Sequence, residues 1–217
     1  RLSQLNMSRF APFGRFALGA AIALSLPPYG LWALAPIGIG VFLKTSRTAS
    51  HGRRLFDAWS LWMGYFTISL AWMIDLTVPG WIVATPVQAL IMALPMALIP
   101  ASGAGRAFSV PSALVVGEAI RWVVPFGGVP MSNLALGPID TYLADVVRVG
   151  GALLLVASIG ILAVGVEAAL SVRLRTVVGV LAATVLLIVI ARVSPRGHPD
   201  TVINASVVQA GGALGTR

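Results

Sequence analysis

Between Arg15 and Lys44 the chain runs for 28 residues without a charged side chain, and comparable apolar stretches recur as far as residue 191. A bilayer core accepts about 20 apolar residues per helix, whereas a helix on a soluble domain needs a charged face, so a series of such stretches restricts the chain to a polytopic membrane protein. Composition points the same way. Of 217 residues 58% are apolar and only 10% charged, too few charges to cover a soluble surface. Disordered, collagen-like and disulfide-stapled classes are excluded. The absence of cysteine also removes thiolate metal sites and any cysteine nucleophile from these residues.

The first stretch is interrupted by Leu26-Pro27-Pro28-Tyr29-Gly30. Adjacent prolines remove donors and clash with the preceding turn, so the pattern predicts two short helices, 16–27 and 30–43, joined as a Pro-Pro hairpin. Further segments over 57–76, 80–100, 107–124, 148–170 and 176–191 complete an all-α integral membrane bundle of about seven transmembrane helices.

The net charge of +8 would suit a nucleic-acid partner in a soluble protein, but here its placement indicates loops. With seven crossings, ten of the fifteen basic residues (Arg1, Arg9, Arg15, Lys44, Arg47, Arg53, Arg54, Arg106, Arg173, Arg175) fall on one side. Arg192, Arg196 and Arg217 fall on the other, with Arg121 and Arg148 at helix ends facing it. The positive-inside rule then predicts a plasma-membrane protein with its N-terminus in the cytoplasm and its C-terminus outside, and no nucleic-acid partner. No cleavable signal peptide is expected, because the first apolar run leads into Pro-Pro and Tyr instead of a small-residue cleavage site.

Residues 1–193 therefore form the membrane domain and the Pro-rich 194–200 a linker. The β-branched run 201–209 predicts a strand followed by a glycine-rich turn. A single strand has nothing to pair with, so the chain is expected to stop just as an extracytoplasmic soluble domain begins.

Ionisable groups in a bilayer are costly, which makes Glu118 and Arg121, three apart on one helix face, the foremost candidates. Two readings stand: an i, i+3 ion pair that fixes packing, or an Arg121 that faces an anionic lipid head group with Glu118 orienting it. Asp75, at the end of the third segment, is either a solvated interfacial carboxylate or a further lipid-positioning residue. The 125–147 loop, with Gly128 and Pro130 inside Phe126-Gly127-Gly128-Val129-Pro130-Met131, is longer than a turn requires. His51 and His198 lack ligand spacing, and no nucleotide or hydrolase motif is present, so neither metal nor cofactor is expected.

In order along the chain, Leu26-Pro27-Pro28-Tyr29-Gly30-Leu31-Trp32 with Ala35-Pro36, Gly64-Tyr65-Phe66 with Trp72, Glu118-Ala119-Ile120-Arg121 with the Phe126–Pro130 stretch, and Val207-Val208-Gln209-Ala210-Gly211-Gly212 resemble the apolipoprotein N-acyltransferase family, especially its actinobacterial branch. That resemblance implies a membrane bundle carrying an extracytoplasmic nitrilase-like α/β domain, of which residues 201–217 would be the truncated start. It implies a phospholipid acyl donor, a cysteine thioester, and transfer to the N-terminal cysteine of a lipoprotein. The Glu-Lys-Cys catalytic set of such a domain is not in this chain, so no catalytic residue is assigned and the chain as given is expected to be inactive. Met131 stands where the family usually has Trp, and Ala210 interrupts the usual Val-Gln-Gly. The resemblance leaves a second reading, a non-catalytic anchor or partner for a polyprenol-phosphate mannose synthase. A small transporter is disfavoured because no internal repeat is present.

Overall fold

The computed structural model describes residues 2–103, 105–125, 127–195 and 206, and of residues 2–11 the backbone alone. Seven α-helices account for most of them: α1 (Leu2–Ala23), α2 (Leu34–Thr45), α3 (His51–Ser69), α4 (Val78–Ala97), α5 (Gly105–Arg121), α6 (Val147–Ala169) and α7 (Leu174–Val193). Short 3-10 turns occupy Ala71–Asp75, Leu134–Leu136 and Tyr142–Val146. The described residues contain no strand, and apart from Ser206 the expected strand over 201–209 lies outside them.

Local chemistry sets the boundaries. The Ser50 hydroxyl accepts from the Arg53 amide at the start of α3, and Thr77 caps α4 by accepting from Gly80, with Pro79 in the first turn where a missing donor costs nothing. The expected short first helix is corrected: α1 has 22 residues, starts fourteen residues before Phe16 and ends ahead of Pro27. Apolar content marks where a helix sits in lipid, not where it begins, and α1 absorbs both Arg15 and an internal Pro12. Helix α2 is short as expected, 12 residues or about 18 Å at 1.5 Å per residue. The third segment is corrected too, since α3 starts six residues before Asp57 and stops at Ser69, leaving Asp75 to close a separate 3-10 turn.

Six helices close into a ring in the neighbour order α1, α3, α4, α5, α6, α2, and α7 packs outside it on α6 and the Tyr142–Val146 turn. Ile22, Ile39, Phe42, Trp62, Tyr65, Phe66 and Met92 fill the interior, each at most 1% exposed. Helices α1 and α3 run in the same direction, because Pro12 meets Ser60 and Phe16 meets Gly64. Their backbones nearly touch: a Cβ at Gly19 would stand 1.7 Å from the Leu61 carbonyl oxygen, and one at Gly64 1.9 Å from that of Phe16. Such close approach through small residues is how helices associate where lipid cancels the hydrophobic driving force.

Helix α6 is broken at its start, where Gly151 takes φ +66° after a non-helical Gly150. Three spans, Val78–Ala97, Tyr142–Ala169 and Leu174–Val193, are long and apolar enough to cross a membrane by length and composition. The others carry ring-facing polar groups or fall short in length. Of α7 only Ala191 is buried, Val180, Leu187 and Ile188 pack half-buried against the core, and the outward face with Leu181, Val185 and Val189 is exposed.

Candidate functional site

Buried charged side chains collect at the two ends of the ring. Arg106 and Arg121 stand fifteen positions apart on α5, about 22 Å at 1.5 Å per residue.

Arg121, the last residue of α5, is fully buried and forms a hub. Its Nη1 donates to Glu118 Oε2 at 2.6 Å, one turn earlier on the same face, and Nε donates to Gln88 Oε1 on α4 at 2.6 Å. Nη2 donates to the carbonyls of Val129 at 3.3 Å and Met131 at 2.7 Å, and Nη1 also reaches the Ser132 carbonyl at 3.5 Å. The guanidinium lies 4.5 Å from the centre of the Phe66 ring on α3. No nitrogen of Arg121 is left free. Glu118, equally buried, uses its second oxygen to accept from the Leu134 amide at 3.2 Å. The i, i+3 pairing expected from the sequence is therefore present, and it is buried inside a network that pins the following loop.

The loop is shaped to reach this hub. The Val129 amide donates back to the Arg121 carbonyl at 2.8 Å. Gly128 takes φ +105°, and a Cβ there would stand 2.0 Å from the Trp122 carbonyl oxygen, so only glycine permits the fold-back. Pro130 sits between Val129 and Met131, two of the three residues whose carbonyls bind Arg121. Tyr65 donates its hydroxyl to the Ser132 carbonyl at 2.9 Å, and Ser132 donates its own to Ser69 at 2.8 Å. The structure thus brings Glu118, Arg121, Gly128 and Pro130 together. Asp75 is exposed and takes no part, with no hydrogen bond or ion pair among the described residues.

The opposite end carries residues that the sequence reading passed over. Arg106 on α5 meets Glu167 on α6, Nε to Oε2 at 3.1 Å and Nη2 to Oε1 at 3.0 Å, with both side chains nearly buried. Arg106 also donates to the carbonyls of Pro100 at 2.5 Å and Leu43 at 3.1 Å. Arg54 donates to the carbonyls of Ala97, Ile99 and Ala49, closing the frayed end of α4. Lys44 donates to Ser171 at 2.9 Å. Two of the missed groups had a visible signal: Glu167 is the only charge between Arg148 and Arg173, and Gln88 the only amide in the charge-free run 76–105.

No group of three metal-ligating side chains occurs among the described residues. The Arg121 hub offers neither a nucleophile nor a free base. It can hold a surface in place, and two apolar clefts of about 410 and 440 Å³ open on either side of that surface, sharing Pro130 and Leu136 as a wall.

Residues 18–169 match the family model described as the apolipoprotein N-acyltransferase N-terminal domain. The match includes both buried ion pairs and the whole 122–146 loop, and it ends with α6. No curated protein matches the chain.

Proposed function

The chain belongs to the apolipoprotein N-acyltransferase family through this N-terminal domain, and from that premise we propose that it is the membrane part of a protein that moves an acyl chain from a phospholipid to the N-terminal cysteine of a lipoprotein. Its task is to present lipid at the Arg121 end of the bundle, beneath a nitrilase-like catalytic domain that residues 201–217 would begin. The observation that carries this reading is the Arg121 hub. A residue facing lipid directly would keep donors free, whereas here every guanidinium nitrogen is committed to α4, α5 or the loop. Arg121 and Glu118 act as positioning residues: they hold Gly128 and Pro130 in one geometry, so that lipid and catalytic domain meet a rigid floor. Rigid placement matters in acyl transfer because an ångström of misplacement can cost about a hundredfold in rate.

Residues 1–217 contain no cysteine, so in this reading the acyl-carrying thioester would form outside them. Given labelled phospholipid, the purified 217-residue chain should acquire no hydroxylamine-labile acyl group, and joined to a family nitrilase-like domain it should support N-acylation of a lipidated peptide. Transfer by the chain alone, or equal activity of the nitrilase-like domain without it, would remove the proposal.

The orientation proposed with this function places the Arg106 end, with Arg15, Lys44, Arg47, Arg53 and Arg54, in the cytoplasm. Successive helices alternate in direction between the two ends, which supports seven crossings with the α1–α2 turn on the Arg121 side. Reporter fusions after Thr48 and Gly105 should read as cytoplasmic, and fusions after Ser132 and Pro199 as external. A cytoplasmic signal at Pro199 would overturn the seven-crossing arrangement.

A further inference from the structure

Helices α2, α6 and α7 enclose a further apolar cleft, of about 320 Å³, on the flank of the bundle. Both α2 and α7 pack on α6 but not closely on each other, which leaves the gap. Pro36, Ile37, Gly165, Ala169, Val180 and Leu181 stand in its wall, and no charged side chain lines it. Ala169 marks its Arg106 end, two residues before Ser171 and four before Arg173. There the charge is unbalanced. Lys44 spends one of its three donors on the Ser171 hydroxyl at 2.9 Å and meets no carboxylate among the described residues. Arg173 comes only within 3.8 Å of Glu167, whose carboxylate Arg106 already holds at 3.0 and 3.1 Å. Asp57, the other acid at this end, sits on α3 and is taken by Arg53. The turn that carries Arg173 is fixed: the amides of Val172 and Arg173 donate to the carbonyls of Ala169 at 3.0 Å and Ala168 at 2.9 Å, with Val172 at φ +53°. A β-branched residue rarely takes that conformation, and here it leaves Val172 90% and Leu174 73% exposed on either side of Arg173. Apolar side chains alternating with cations suit the head-group layer of a bilayer better than water.

We infer that the Arg106 end of the bundle holds one anionic phospholipid, its phosphate on Lys44 and Arg173 and one acyl chain in the cleft between α2, α6 and α7. In the orientation proposed above this lipid belongs to the cytoplasmic leaflet. It lies at the opposite end of the bundle from the Arg121 hub, so it is a structural companion and not the acyl donor. Charge decides the class. A zwitterionic head group brings its own cation up to Lys44 and Arg173, whereas the phosphodiester of an anionic lipid meets them with a net negative charge. A free phosphate would meet the same cations but leave the cleft unfilled. Once bound, the lipid would bridge α2 to the start of α7, two elements that do not otherwise pack closely.

The test strips the full chain of lipid in mild detergent, offers it equal amounts of phosphatidylglycerol and phosphatidylcholine with matched acyl chains, and counts bound lipid by native mass spectrometry. Phosphatidylglycerol should be retained about tenfold over phosphatidylcholine, the scale of two basic side chains beside a head group. Lys44→Gln and Arg173→Gln should each lower that preference to about threefold, and the double variant should abolish it. Lys44 is exposed and Arg173 partly so, which lets the variants fold. Arg148→Gln, at the other end of the bundle, should leave the preference unchanged. Ile37→Trp, which narrows the cleft from an exposed position, should lower phosphatidylglycerol retention while the melting temperature stays close to that of the parent chain. Inorganic phosphate should not displace the lipid. Equal retention of the two lipids, a preference that survives the double variant, retention indifferent to Ile37→Trp, or displacement by inorganic phosphate would each overturn the inference. None of these results would touch the acyltransferase reading, because no acyl transfer is measured.

Discussion

Replacing Arg121 by Gln should destabilise the bundle by about 3–5 kcal/mol, the usual cost of stranding one member of a buried ion pair. Glu118 is fully buried, and without Arg121 its carboxylate keeps only the Leu134 amide. The Val129 and Met131 carbonyls and the Gln88 oxygen lose their donor in the same change, while the Ser132 carbonyl keeps the Tyr65 hydroxyl. Glu118→Gln should be costly for the complementary reason, leaving a guanidinium without its counter-ion. The double variant removes both charges and should cost clearly less than the sum of the single changes. Thermal unfolding in detergent of the four proteins in a cycle gives the coupling directly. Near-neutral single changes that simply add would mean a solvated pair, and the hub would lose its claim to hold the loop. In a nitrilase-joined form, Arg121→Gln should also lower N-acylation, since the floor beneath the lipid would no longer be fixed.

Gly64→Ala and Gly19→Ala should each cost about 3 kcal/mol, the upper range for overpacking, although alanine is the better helix former. The added methyl meets a backbone carbonyl oxygen at 1.9 or 1.7 Å where ordinary contact begins near 3.4 Å. No side chain can rotate aside, so α1 and α3 must separate by more than an ångström and loosen Ile22, Trp62 and Tyr65 together. Gly52→Ala and Gly179→Ala serve as controls, since a Cβ there meets nothing within 4 Å. Melting temperatures for the seam variants that match those of the controls would show that the close approach does not carry the packing.

Much of the fold could be read from charge-free runs because a membrane helix announces itself by composition over its whole length. The 148–170 segment and the observed α6, Val147–Ala169, differ by one residue at each end. The start of α1 is not legible, since residues 2–15 are polar enough to resemble a loop and Pro12 and Gly14 read as breakers, yet the helix runs through both. Glu118 and Arg121 stood out through their spacing. Gln88 and Tyr65, which complete the hub, come from other helices, and nothing local in the chain says that α3 and α4 converge on the end of α5. Glu167 shows the same limit from the other side. A lone carboxylate in an apolar run signals a buried partner, but naming Arg106 requires knowing that α5 and α6 are neighbours.

The ring order has a consequence for how the protein is made. Lys44 and Ser171 meet although 127 residues separate them, because α6 fills the gap between α2 and α5. During synthesis the Arg121 hub can assemble once residue 134 has emerged, since all its members precede that point. The Arg106 side chain, by contrast, has no carboxylate until α6 enters the bilayer with Glu167. An intermediate in which α1–α5 have packed without α6 would thus present an unneutralised guanidinium and an open flank on α2. The ring and the Arg106 ion pair are therefore both completed by the same element, residues 147–169.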